Sequence, residues 1–145
     1  MVHDLYQETI IDHSKRPRNC HPMQDATREA EGYNPLCGDK LKLYLKMEGD
    51  IVRDVSFVGS GCAISTASAS LMSESLKGKT REEALKLLDK FHELLTTDTE
   101  VRKDLGKLVV FCGVREYPAR VKCATLAWHT LKSAFTNADE VATTE

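Results

Sequence analysis

With 145 residues, 20 basic against 22 acidic side chains, a formal charge of −2 and a pI near 6.2, the chain is sized for one domain with its own hydrophobic core. No dense Lys/Arg block marks a phosphate-backbone footprint, which excludes nucleic acid as an expected partner. No apolar run approaches the roughly 18 residues of a membrane span, so no membrane association is expected either.

In chain order, Leu5, Tyr6, Thr9, Ile10 and His13 recur at helical spacing and predict an amphipathic helix over 3–14, stopped by Lys15-Arg16-Pro17-Arg18. A polar segment leads to Asn34-Pro35. Leu41, Leu43, Leu45 and Met47 then alternate with polar residues, predicting a half-buried strand. Gly49-Asp50 supplies a turn, and the alternation of Ile51, Arg53, Val55 and Phe57 with Val52, Asp54, Ser56 and Val58 predicts its partner in an antiparallel hairpin. The Ala- and Ser-rich stretch from Ile64 to Leu76 predicts a closely packing helix entered through Gly59-Ser60-Gly61, with Cys62 at its first turn. Thr80 and Glu83 have capping-box spacing ahead of the apolar stripe Ala84, Leu87, Leu88, Phe91 and Leu95. The segment 96–116 reads as helix from Leu105, Leu108, Val109 and Cys112. Tyr117-Pro118 breaks it, and Ala124, Ala127, Leu131, Ala134 and Phe135 mark a closing helix. The fold class expected is α+β: one domain over 1–136, a small antiparallel sheet with helices packed on one side, and a frayed tail over 137–145.

Five widely spread cysteines and a start without an apolar signal segment fit a reducing cytosol, so a cytoplasmic protein with free thiols is expected. Cys37 lies in a turn between Pro35 and Gly38, with Asp39 two residues on. Cys62 precedes a helix whose free N–H groups favour thiolate, and Cys123 is read as beginning another, with Arg120 and Lys122 adding positive charge. The intervals between them match no short zinc-finger spacing, but they permit a site assembled from three loops, with three sulfurs and one carboxylate oxygen. Zinc suits that donor set; ferrous iron or an iron–sulfur cluster could also use it. Other readings fall away. His92-Glu93 lacks the second histidine of a zinc-protease helix, and neither a Cys-x-x-Cys, a phosphate-binding glycine loop nor a deaminase pattern is present. His3 and His13 are read as ordinary surface or core-edge residues of the first helix, and Cys20 and Cys112 as structural.

The stretches LYQETIIDHSKRPRN, NPLCGD, FVGSGCAISTASASLM and PARVKCATLAW come in the order seen in the U-type iron–sulfur cluster assembly family, which the chain resembles over nearly its whole length. IscU-type scaffolds place a histidine before the third cysteine. Lys122 stands there instead, and the interval from the second cysteine is longer, as in the SufU branch of zinc-dependent sulfurtransferases. The resemblance implies zinc held by Cys37, Asp39, Cys62 and Cys123. It also implies that Cys37 accepts sulfur from the persulfide of a SufS-like cysteine desulfurase, a histidine of which replaces it on the metal. Arg120 would contact that partner, and the sulfur would pass to other iron–sulfur assembly proteins. Two rival readings are a scaffold that builds a [2Fe-2S] cluster on the same cysteines and a non-catalytic zinc module that only shapes a docking surface.

Overall fold

The computed structural model describes residues 8–96, 105–136 and 141–143. Its elements are α1 (Glu8–Lys15), β1 (Arg28–Asn34), β2 (Asp39–Glu48), β3 (Ile51–Ser60), α2 (Ala63–Leu76), α3 (Arg81–Thr96), a 3-10 helix (Gly106–Glu116), α4 (Pro118–Thr136) and β4 (Val141–Thr143). The sheet runs β3-β2-β1-β4, with the first three strands antiparallel and β4 parallel to β1. Helices α2 and α4 pack on its inner face, giving the expected α+β architecture.

The β2–β3 hairpin forms where the alternation predicts it, with one correction. A bulge shifts the register between Lys46 and Met47, pairing Lys46 with Asp54 but Met47 with Val52. The extra residue inverts the alternation, so Val52 and Val55 both face the core while Ile51 is exposed. Strand β1 was not legible, because its inner face is Ala30, Gly32 and Asn34 with no large apolar side chain. Small size is what the packing demands. A Cβ on Gly32 would collide with Thr130 Oγ1 of α4 and stand 3.1 Å from Leu126 Cδ1. The tail expected to fray also contributes, since 141–143 pairs with Glu31–Tyr33.

Helix α2 is buried on nearly every side, and its serines are the reason it can be. Ser68 donates to Ala124 O and accepts from Trp128 Nε1 at 3.2 Å, while Ser73 donates to Ser70 O and accepts from Asn19 Nδ2 at 2.9 Å. Beside it, Phe91 of α3 stacks on Trp128 at 4.8 Å and meets Phe111 edge-on at 5.5 Å. The capping box is made as predicted: Glu83 N donates to Thr80 Oγ1, and Thr80 N donates to Glu83 Oε1. The segment read as helix before Tyr117 is a 3-10 helix where it is described. Three residues per turn align Leu105, Leu108, Phe111 and Val114 on one buried face. Pro118 then opens α4, at a position where its missing N–H costs nothing. Leu5, Tyr6 and His3 of the predicted first helix lie outside the described residues.

His13 is buried, with Nδ1 2.7 Å from Ser70 Oγ and Nε2 3.7 Å from Glu74 Oε1. Burial, followed by the Arg18 charge, holds its pKa below the ordinary histidine value against the pull of Glu74. The folded chain therefore binds fewer protons here than the unfolded one. The resulting stability is present in full above the unfolded pKa of about 6.5 and is lost as pH falls through the folded value. Urea midpoints should drop between about pH 7.5 and about pH 5, and drop less in His13→Gln. Equal slopes in the two proteins would place the acid sensitivity elsewhere.

Candidate metal centre

The ends of β1 and β2 are joined by a tight turn, closed by Gly38 N donating to Asn34 O at 2.8 Å and made possible by Gly38 at φ 74°. That turn presents Cys37 to solvent and starts β2 on Asp39, whose side chain is fully buried. Cys62 caps the N-terminus of α2, its sulfur accepting from Ser65 N at 3.4 Å. Cys123 lies in α4. It does not begin that helix, as the sequence suggested, but sits a full turn inside it behind Pro118 and is buried.

The fold brings these residues together. Ligand atoms of Cys37, Asp39 and Cys123 all lie within 4.8 Å of one another, and the sulfurs of Cys37 and Cys123 are 3.3 Å apart. Cys62 stands at the rim of this group. Its backbone N–H donates to Asp39 Oδ1 at 2.8 Å, and its thiol influences the titration of Cys123. Arg120 reaches across the opening, its Nη1 3.9 Å from both Cys37 Sγ and Cys123 Sγ. Cys20 and Cys112 take no part: the first is exposed beside β3, the second buried in the 3-10 helix. His92 is exposed on α3 and meets only the ring of His129 among the described aromatic contacts.

The thiols do not all favour the same state. The Cys123 thiol, assisted by the Ser65 N–H, pushes Cys62 down to about 6, despite burial. Cys123 is pushed the other way, by Cys62 first and then by burial and Cys37. The helix-end argument therefore holds for Cys62 alone. Within this coupled pair, negative charge is favoured on Cys62 and disfavoured on Cys123. A divalent ion would remove the conflict by taking both as thiolates.

Two residues that the sequence reading passed over complete the site. Asn34 is fully buried, its Nδ2 donating to Asp39 Oδ2 at 3.1 Å and to Cys123 Sγ at 3.5 Å. Gly61 leaves room for the carboxylate: a Cβ there would stand 2.5 Å from Asp39 Oδ1 and 3.0 Å from its Cγ. The signal for Asn34 was its place before Pro35, which reads only as a turn; Gly61 reads only as a helix entry. Two clustered thiols and one carboxylate, with Cys62 at the rim and the carboxylate oriented by N–H donors on both oxygens, have the chemistry for zinc or another thiophilic cation. Among the described residues, no helix is long and apolar enough to cross a membrane.

Known proteins resemble this chain in sequence and in fold. The family model described as "NifU-like N terminal domain" matches residues 5–136. The chain is 42% identical over 134 residues to the iron-sulfur cluster assembly scaffold protein IscU of Streptococcus pyogenes serotype M1, spanning 92% of this chain and 84% of that one. It is 43% identical over 129 residues to the zinc-dependent sulfurtransferase SufU of Bacillus subtilis (strain 168), spanning 88% and 87%. The crystal structure of FiSufU from Fervidobacterium islandicum AW-1, described as a candidate iron-sulfur cluster assembly scaffold for the SUF system, superposes with a TM-score of 0.84 at 39% identity, over 94% of this chain and 100% of that one. With the family model covering residues 5–136 and a three-stranded antiparallel platform beside a cluster of Cys37, Asp39 and Cys123, the chain belongs to the NifU-like N-terminal domain family.

Proposed function

We propose that this chain accepts sulfur on Cys37 from the persulfide of a cysteine desulfurase and delivers it to iron–sulfur cluster assembly, with zinc held by Cys37, Asp39, Cys62 and Cys123. The observation that carries the reading is an asymmetry of exposure. Cys37 is open to solvent on a turn, whereas Asp39 and Cys123 are fully buried and Cys62 is half-buried. One sulfur can meet a partner's active site; the others stay behind.

The transfer is a thiol–persulfide exchange. The Cys37 thiolate attacks the terminal sulfur of the desulfurase persulfide, forming a new S–S bond on Cys37 as the old one breaks. The electron pair of the broken bond leaves with the desulfurase cysteine as thiolate, so the exchange needs no external oxidant or reductant. Zinc, when bound, would keep the thiols deprotonated and protected from oxidation. Arg120, within 3.9 Å of the Cys37 sulfur, supplies a positive charge that attracts an incoming anionic persulfide. Tyr33, Leu36 and Tyr117 are exposed large hydrophobics next in sequence to Asn34, Cys37 and Pro118, and they offer apolar anchorage for the partner around the opening.

Elemental analysis of protein purified without oxygen should find near-stoichiometric zinc, no acid-labile sulfide and no visible colour. Incubation with a cysteine desulfurase and cysteine should then place an alkylatable persulfide on Cys37. Iron and sulfide in comparable amounts, with a brown chromophore, would favour a [2Fe-2S] scaffold on the same ligands instead.

A further inference from the structure

Asn34 ends β1, and its side chain has no access to solvent. Its Oδ1 accepts from Leu36 N at 3.3 Å. A backbone N–H can only donate, so this bond settles which end of the amide is which. Nδ2 is therefore the group turned toward the metal centre, where it donates to Asp39 Oδ2 and Cys123 Sγ. One side chain thus ties the turn that carries Cys37 to two of the four candidate ligands.

Comparing the N–H donors at each ligand shows why this matters. Asp39 accepts from Cys62 N as well as from Asn34, Cys62 accepts from Ser65 N, and Cys123 accepts from Asn34. Cys37 has a different environment. Its sulfur contacts the Cys123 sulfur and the half-exposed guanidinium of Arg120. An N–H donor spreads the charge of a thiolate, lowers its nucleophilicity and fixes its direction toward a metal. Asp39, Cys62 and Cys123 accept from Asn34 or from the backbone and are buried or half-buried, whereas the donor at exposed Cys37 is the side chain of Arg120 at 3.9 Å.

We propose that Asn34 is a positioning residue that pins Asp39 and Cys123 as fixed ligands and so leaves Cys37 as the thiol free to react. This rests on the metal reading given under the proposed function. Asn34→Asp keeps the acceptor for Leu36 N but puts a carboxylate oxygen, with its charge, in place of the donor, so it is read beside Asn34→Ala, which removes the donor without adding charge.

The test compares the zinc-loaded wild-type chain with Asn34→Asp and Asn34→Ala. Each cysteine's rate of alkylation by iodoacetamide is read by mass spectrometry, and zinc loss to a chromophoric chelator is followed in parallel. In the wild type Cys37 should label before Cys62 and Cys123, with exposed Cys20 as the reference thiol outside the centre. In both variants, Cys123 labelling should rise on the order of tenfold and zinc loss should quicken on the order of 10–100-fold. Buried Cys112 should stay protected throughout. Unchanged Cys123 labelling and zinc loss would overturn the proposal, and so would Cys112 labelling that rises in step, since that reports general loosening. Failure of both Asn34→Asp and Asn34→Ala to fold without metal would also overturn it, making Asn34 a determinant of the fold. Sulfur acceptance is scored on the same samples. A wild-type chain that takes no sulfur yet keeps the labelling contrast would refute the function reading and leave this one standing; a wild-type chain that retains no zinc would refute both.

Discussion

Cys37→Ser should abolish sulfur acceptance, by on the order of 100-fold or more, while leaving the protein folded. A serine hydroxyl at the same place has no accessible anion near neutral pH and cannot displace a thiolate from a persulfide. Stability should hold because Cys37 is exposed on a turn and contributes nothing to the core; a surface exchange of this kind shifts folding by about 0.5 kcal/mol or less. The measurement is the mass gained by the chain after incubation with a desulfurase and cysteine, with unfolding midpoints of the metal-free proteins alongside. Cys20→Ser, which alters an exposed thiol outside the centre, should accept sulfur like the wild type. If Cys37→Ser still gained sulfur, or if partner activity were nearly unaffected by it, the metal would only shape a docking surface.

Gly61→Ala is expected to cost the centre more than its size suggests. The added methyl would sit 2.5 Å from Asp39 Oδ1 and 3.1 Å from Asp39 Cβ, well inside van der Waals contact. Asp39 is short and held from both sides by Cys62 N and Asn34 Nδ2, so it cannot swing aside without breaking one of those bonds. Displacing an oriented ligand or its support lowers metal affinity by about 10–100-fold, and that is the loss expected in a competitive zinc titration. Secondary structure by circular dichroism should be retained, because Gly61 lies between β3 and α2 and belongs to neither. Wild-type affinity in this variant would mean that Asp39 is not a ligand whose placement matters.

The hairpin, α2, α3 and α4 were legible because each buries a face whose period appears in the residues themselves: Leu41, Leu43 and Leu45 at two, and Leu87, Leu88, Phe91 and Leu95 at helical spacing. Strand β1 was not, because the pressure on its inner face comes from Thr130 and Leu126, nearly a hundred residues away, and selects smallness over hydrophobicity. The 3-10 helix misled in kind only, since Leu105 and Leu108 belong equally to periods of three and of three to four. At the centre, ligand-type residues in glycine-bearing turns and at a helix start announced Cys37, Asp39 and Cys62. Cys123 was singled out as a helix start, which the structure corrects: it lies inside α4, next to Cys37 and Asp39. Asn34 and Gly61 could not be read from local pattern, because their roles exist only once β1, β2 and α2 converge.

Helix α4 is clasped at its far end, where Arg28 donates to Ala134 O and Arg81 to Phe135 O, and it lies against β1 through Gly32. Cys123 and Arg120 ride on its opposite end. During synthesis the side chains of Cys37, Asp39 and Cys62 leave the ribosome long before this helix does, and until it docks they face an open sheet surface. The centre is thus completed by the last large element of the domain to emerge, so a nascent or truncated chain lacking α4 has the reactive turn but not the enclosure that keeps it in check.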